Sequence, residues 1–284
     1  MANQMAAIVI ASVIWSLHPA LISRFRQHIA PITYTAIRAI AAVMFLLFLS
    51  LFNRVGPARL DPMVMAIIVL SAVLGPGIGD AAYTRAVQLI GGSLAVVISY
   101  TYMFIAQAIA VAFLGEELST STLIGTVLAF IGVVTATLRS PENSSKVHGI
   151  AYASVASVSW GTASSMLKLI LKYIDVLTLT VIRLAVITLF FLPVGFLTEG
   201  VPKKNSIKAL VILSIVNGIL GWGIGMYLFI YSINTIGVSV TTMATALTPV
   251  LAQIMTKLLA KELPSKNNIV GALVISAGIA VSSI

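Results

Sequence analysis

Apolar residues run along this chain in blocks of about twenty, each closed by a short joint of charged residues, glycine or proline. A helix needs ~20 mostly apolar residues to cross the hydrocarbon of a bilayer, where an unpaired backbone amide is costly. That ruler finds ten segments, at about 5–23, 32–52, 62–87, 93–114, 121–138, 149–167, 176–197, 207–232, 238–258 and 267–284. Runs such as Val43–Leu51 and Leu184–Val194 are apolar on every face instead of alternating. The pattern therefore predicts helices and excludes an outer-membrane barrel. The connections are too short for a soluble domain, and the start MANQMAAIVIASVIW lacks the basic region and cleavage site of a leader, so it reads as the first span.

The second signal is self-similarity. ITYTAIR (Ile32–Arg38) returns as LTLTVIR (Leu177–Arg183), and Trp15 returns as Trp160, both 145 residues on. LGPGIG (Leu74–Gly79) returns as LGWGIG (Leu220–Gly225), now 146 residues on. The same shift links Gly91 to Gly237, Ser93 to Ser239, Gln107 to Gln253, Glu116 to Glu262, Gly125 to Gly271 and Gly132 to Gly278. Each copy holds five spans. Five is odd, so the second copy enters the membrane from the opposite side, and a pseudo-two-fold axis lies in the membrane plane. The predicted fold is all-α and integral to the membrane: ten transmembrane helices in two inverted five-helix repeats, residues 1–140 and 149–284, joined by a connecting loop at 141–148.

Composition agrees. Of 284 residues, 59% are hydrophobic and 9% charged, and the mean hydropathy is +1.08. A soluble domain carries about 25% charged residues, so a cytosolic globular enzyme is excluded. The net charge of +9 reads as basic loops at an anionic membrane surface, not as a nucleic-acid footprint. The chain has no cysteine, which removes disulfides and thiol-held metal.

With the Trp of each first helix, the Arg early in each second helix, the Gly-rich third helices and the acidic residue ending each fourth helix (Glu116 in LGEEL, Glu262 in AKELP), the chain resembles the drug/metabolite transporter superfamily in its ten-helix, EamA-like branch. The likeness covers essentially the whole chain. It implies transport of small polar or amphipathic metabolites such as amino acids, amines or drugs, with both termini in the cytoplasm. Counting Lys and Arg in the joints opposes that orientation, with eleven on the side opposite the termini and four (Arg54, Arg59, Lys168, Lys172) on the terminal side. A mid-helix proline is usual in each fourth helix of the family; Pro249 supplies it in the second repeat, whereas Met103 stands in the first. That difference predicts unequal breaks in the two helices.

Three charged residues fall well inside spans: Arg38, Asp80 and Arg183. An ionisable group at the bilayer centre costs at least ~2.5–3.5 kcal/mol, so each marks a functional or ion-paired interior site. Asp80 reads two ways, as a substrate counter-ion or proton-coupling carboxyl, or as the partner of Arg85 or of an Arg from another helix. The duplicated Arg38 and Arg183 read as scaffold groups holding carbonyls, with recognition of a carboxylate or phosphate as the alternative. Glu116 and Glu262 are expected to cap the helix that follows each of them. Trp15, His18, Tyr83, Tyr102 and Trp160 are candidate cavity walls, four of them able to cage an amine. Ser99, Ser157, Thr245 and Thr248 are placed on the same interior faces, and Trp222, standing where the first repeat has Pro76, lines or fills the centre. The glycines of the third helices are packing surfaces. Scattered histidines argue against a metal site, and no phosphate loop or nucleophile constellation is present.

The sequence thus predicts a non-enzymatic secondary active transporter, an exporter working by alternating access in the plasma membrane. It predicts a small-molecule substrate, a bilayer, a coupling proton, a sufficient monomer, and neither cofactor nor nucleic acid. A flippase or carrier of a lipid-linked or nucleotide-sugar precursor is the alternative on the same fold.

Overall fold

The structure, a computed structural model, describes residues 2–52, 60–117, 119–137 and 144–282. They form α1 (Ala2–Arg24), α2 (Pro31–Ser50), α3 (Pro62–Ile90), α4 (Gly92–Leu114), α5 (Thr120–Thr137), α6 (Ser144–Ile170), α7 (Val176–Glu199), α8 (Lys204–Ile236), α9 (Val238–Ala260) and α10 (Lys266–Ser282), with no strand among the described residues. Seven of these helices, α1–α4 and α7–α9, are long and apolar enough to cross a membrane. Of the other three, α5 has 18 residues and α10 has 17, while α6 has 27 but is diluted by its serines. Arg54, Arg59 and Arg139 lie outside the described residues, as do 141–143 of the expected connecting loop; from Ser144 onward that loop is already helical.

Starts and stops follow from local chemistry. Proline opens α2 and α3, where its missing N–H is no loss. Asp61 and Asp175 accept from the Val64 and Thr178 N–H groups and so cap α3 and α7. α2 has no cap of its own. Glu199, at the far end of α7, supplies it by accepting from the Ile32 and Thr33 N–H groups at 2.9 and 2.8 Å.

The halves pack reciprocally. α2 lies on α7 and α5 on α10, while α3 and α4 pack on α6 as α8 and α9 pack on α1. A Cβ at Gly132 would strike the Gly271 carbonyl, and one at Gly278 the Gly125 carbonyl. When residue i meets j′ and j meets i′, the relation is two-fold. Polar contacts at the helix ends fit the crossing sense as well. Glu199 with Ile32, Gly92 with Ser23, and Glu116 with Val238 each join segments that a ten-crossing chain puts on one side of the membrane. With five helices per half, the repeats are inverted.

Two irregularities recur in both copies and shape the centre. α3 and α8 each contain a π-helical stretch, Val73–Gly79 and Asn217–Met226, although only the first contains a proline. α4 and α9 are each interrupted, at Tyr100–Thr101 and Thr245–Ala246. The unequal break expected from Met103 and Pro249 is therefore corrected. Both breaks carry a threonine whose hydroxyl donates back to a carbonyl three residues earlier, Thr101 to Ile98 at 2.7 Å and Thr245 to Thr242 at 2.6 Å, competing with the helical ladder.

Candidate functional site

A cavity of about 90 Å³ lies between the repeats where the π-helical stretches of α3 and α8 meet the break in α4. It is bounded by Trp15 and His18 of α1, Arg38 of α2, Asp80 and Tyr83 of α3, Tyr100 and Tyr102 of α4, Trp160 of α6, Arg183 of α7, and Trp222 and Phe229 of α8. Interrupted helices expose backbone groups at such a centre, a recurrent feature of transporter binding sites.

Its electrostatic centre is Asp80. One carboxylate oxygen accepts from Arg38 Nη2 at 2.6 Å and the other from Trp160 Nε1 at 3.0 Å. Arg38 also donates through Nη1 to His18 Nε2 at 2.6 Å. A guanidinium has no acceptor, so this contact assigns the His18 proton to Nδ1 and makes the ring neutral. The Arg38 guanidinium carbon stands 3.6 Å over the Trp222 ring. Asp80 therefore ties the first repeat's second helix to the second repeat's first helix, with its charge balanced within the protein.

The pseudo-symmetric corner is built differently. Trp15 Nε1 donates to the Gly221 carbonyl at 2.8 Å, within the π-helical stretch of α8. Arg183 Nη2 donates to the Ser71 carbonyl at 3.0 Å, and Nη1 lies 3.9 Å from the Met226 sulfur. Aromatic rings cluster unequally too: Trp160 meets Tyr83 at 5.1 Å and both Tyr100 and Tyr102 at 6.0 Å, whereas Trp15 meets Phe229 at 5.3 Å.

At the membrane faces, Glu116 and Glu262 are capping groups that reach across the repeats. Glu116 accepts from the Val238 and Ser239 N–H groups, both at 2.9 Å, and from Lys168 Nζ at 2.6 Å. Glu262 accepts from Gly92 and Ser93 at 3.2 and 3.3 Å. Gly91 and Gly237, which precede these helix starts, have φ of 79° and 84°, and a Cβ on either would press on the partner glutamate. Burial pushes the Glu116 carboxyl up, but the bonds from Lys168, Ser239 and Val238 outweigh it and hold the group at about 2.

A model of the EamA-like transporter family matches residues 4–138 and again 147–284. The chain belongs to the EamA-like transporter family. This transporter is 25% identical over 281 residues to the uncharacterized transporter YoaV of Bacillus subtilis (strain 168), a match spanning 98% of this chain and 96% of that one. It is also 25% identical over 174 residues to an uncharacterized transporter of Archaeoglobus fulgidus, covering 61% of this chain and 62% of the relative. A solved structure titled only as the crystal structure of a protein superposes with a TM-score of 0.77 at 18% identity, covering 100% of this chain and 97% of that one, which supports the fold. The protein is a multi-pass integral membrane transporter whose setting is the lipid bilayer.

Of the transporter's candidate residues, Trp15, His18, Asp80, Tyr83, Tyr102, Trp160 and Trp222 meet at the cavity, and so do both arginines read as scaffold. The four candidate cage aromatics do not form one cage, because Trp15 pairs apart from the Trp160 cluster. Ser99, Ser157, Thr245 and Thr248 lie off the cavity wall. Their hydroxyls meet the Ala153 carbonyl, the Thr101 hydroxyl, the Tyr102 hydroxyl and the Ser12 carbonyl, so facing helices consume that polar stripe. Arg85 does not pair with Asp80 but donates to Gln88 at 3.3 Å. The glutamate caps land on α9 and α4 of the opposite repeats instead of on the following helices. Sequence reading missed Tyr100 and Phe229. Tyr100 sits two residues before Tyr102, a spacing that on an unbroken helix puts them on different faces; the break brings both rings to Trp160.

Proposed function

We propose that this protein is a secondary transporter of the cell membrane that carries a small polar or amphipathic metabolite, of the size of an amino acid, amine or drug fragment, outward by alternating access. The observation that carries the reading is the cavity between inverted repeats, walled by the π-helical stretches of both copies and by the break in α4. The caps at Glu116 and Glu262 sit at opposite faces, so releasing one while keeping the other would open the cavity to one side at a time. Proton coupling fits Asp80, since protonating its carboxyl frees the Arg38 guanidinium and both helices it holds.

The test is counterflow in proteoliposomes preloaded with candidate metabolites. Saturable uptake that is stimulated by trans substrate is expected. Flux that never saturates and never exchanges would refute a carrier.

A further inference from the structure

Among the described residues, Arg38, Asp80 and Arg183 are the buried charged side chains, 1%, 6% and 3% exposed. Arg38 and Asp80 neutralise each other, so the surroundings of the cavity retain one positive charge, on Arg183. The repeat explains why. Position 226 corresponds to position 80, and there the second copy has methionine where the first has the acid. Arg38 thus bonds a carboxylate, while Arg183 faces a thioether sulfur at 3.9 Å, a weak acceptor. Its one firm bond is to the neutral Ser71 carbonyl.

Arg183 Nε, Arg38 Nε and the Tyr83 hydroxyl are buried on cavity-lining residues and make no hydrogen bond. All three can donate, and two can only donate. Glycine at position 75 leaves the guanidinium space, since a Cβ there would come within 3.0 Å of Arg183 Nη2. A buried cation without a counter-ion is strongly disfavoured, and a planar fork of donors is matched by a carboxylate.

We propose that Arg183 receives the carboxylate of the transported solute, so that the substrates are small amphipathic molecules bearing one carboxylate, with their apolar part against the Trp160 aromatic wall. This rests on the transport reading but is tested by binding alone. Each loaded state then places an anion beside Arg183, as Asp80 stands beside Arg38. The two corners become electrically alike only when substrate is bound.

The experiment is a thermal-shift and equilibrium-binding titration of the full chain in lipid nanodiscs, with acetate, hexanoate, phenylacetate, phenethylamine and phenyl phosphate as probes. Hexanoate or phenylacetate should raise the apparent Tm saturably, while phenethylamine should not. Arg183→Gln should bind the carboxylates about thirtyfold more weakly or worse. Met226→Asp, which supplies an internal counter-ion where the other repeat has one, should fold at least as well as the parent chain and also lose carboxylate binding. A role confined to holding the Ser71 carbonyl predicts instead that Met226→Asp leaves binding unchanged, and that result overturns the proposal. So does a parent protein blind to every carboxylate, preference for the amine, or a response to the phosphate without one to phenylacetate. If counterflow fails while carboxylate binding depends on Arg183, the transport reading falls and the anion site stands.

Discussion

Replacing Asp80 by Asn tests the electrostatic centre most directly, because the amide keeps nearly the same shape and an oxygen that can still accept from Trp160. What it removes is the charge facing Arg38 Nη2 at 2.6 Å. With the guanidinium 1% exposed, His18 and the Trp222 face would remain as its neutral neighbours. Breaking a buried ion pair from one side costs about 3–5 kcal/mol, since the remaining charge is left uncompensated. At 2–4 °C per kcal/mol for chains approaching this size, the apparent Tm should fall by about 6–20 °C. Arg38→Met alone should cost a similar amount, leaving a buried carboxylate. The double variant Arg38→Met with Asp80→Asn should cost no more than either single variant, a coupling of about 3 kcal/mol or more. The assay is thermal unfolding in nanodiscs across the four proteins of the cycle. Additive losses would refute the pairing as the reason for the two charges, and unchanged pH dependence of flux in Asp80→Asn would remove that carboxyl from proton coupling.

Three further outcomes are expected. The Glu116 carboxyl is held below its ordinary 4.5, so the stability it contributes is full above pH 4.5 and is lost as pH falls toward 2; a Tm-versus-pH scan of Glu116→Gln should lack that acid limb, and Lys168→Met should move it to higher pH. Gly79→Ala places a methyl 2.6 Å from the Trp160 ring, which its bond to Asp80 holds in place, and should destabilise by about 1–3 kcal/mol; Gly221→Ala, with nothing within 4 Å, should be tolerated, and equal Tm losses would refute the packing account. Because the chain lacks cysteine, Leu51→Cys and Leu263→Cys, 78% and 85% exposed at their positions, report topology cleanly. An impermeant maleimide should label them from opposite sides of the membrane, and labelling from the same side would contradict the inverted repeat.

The sequence by itself determined the membrane-embedded helical class, the two copies and their inversion, since apolar block length is set by bilayer thickness and an odd span count fixes the crossing sense. It also singled out the three deep charges, because hydrocarbon makes such residues rare. Only the tertiary structure decided their partners. Which of Arg38, Arg85 or Arg183 meets Asp80 depends on helix packing, and the serines and threonines placed on the same polar faces turned out to bond neighbouring helices instead of facing the cavity. The glutamates were legible as caps, but the helix each one caps belongs to the opposite repeat, a long-range choice that local spacing cannot encode. Symmetry set the positions, and packing decided which of them were matched by charge: Met226 stands where Asp80 has its counterpart, so one arginine is neutralised within the protein and the other is left beside the cavity.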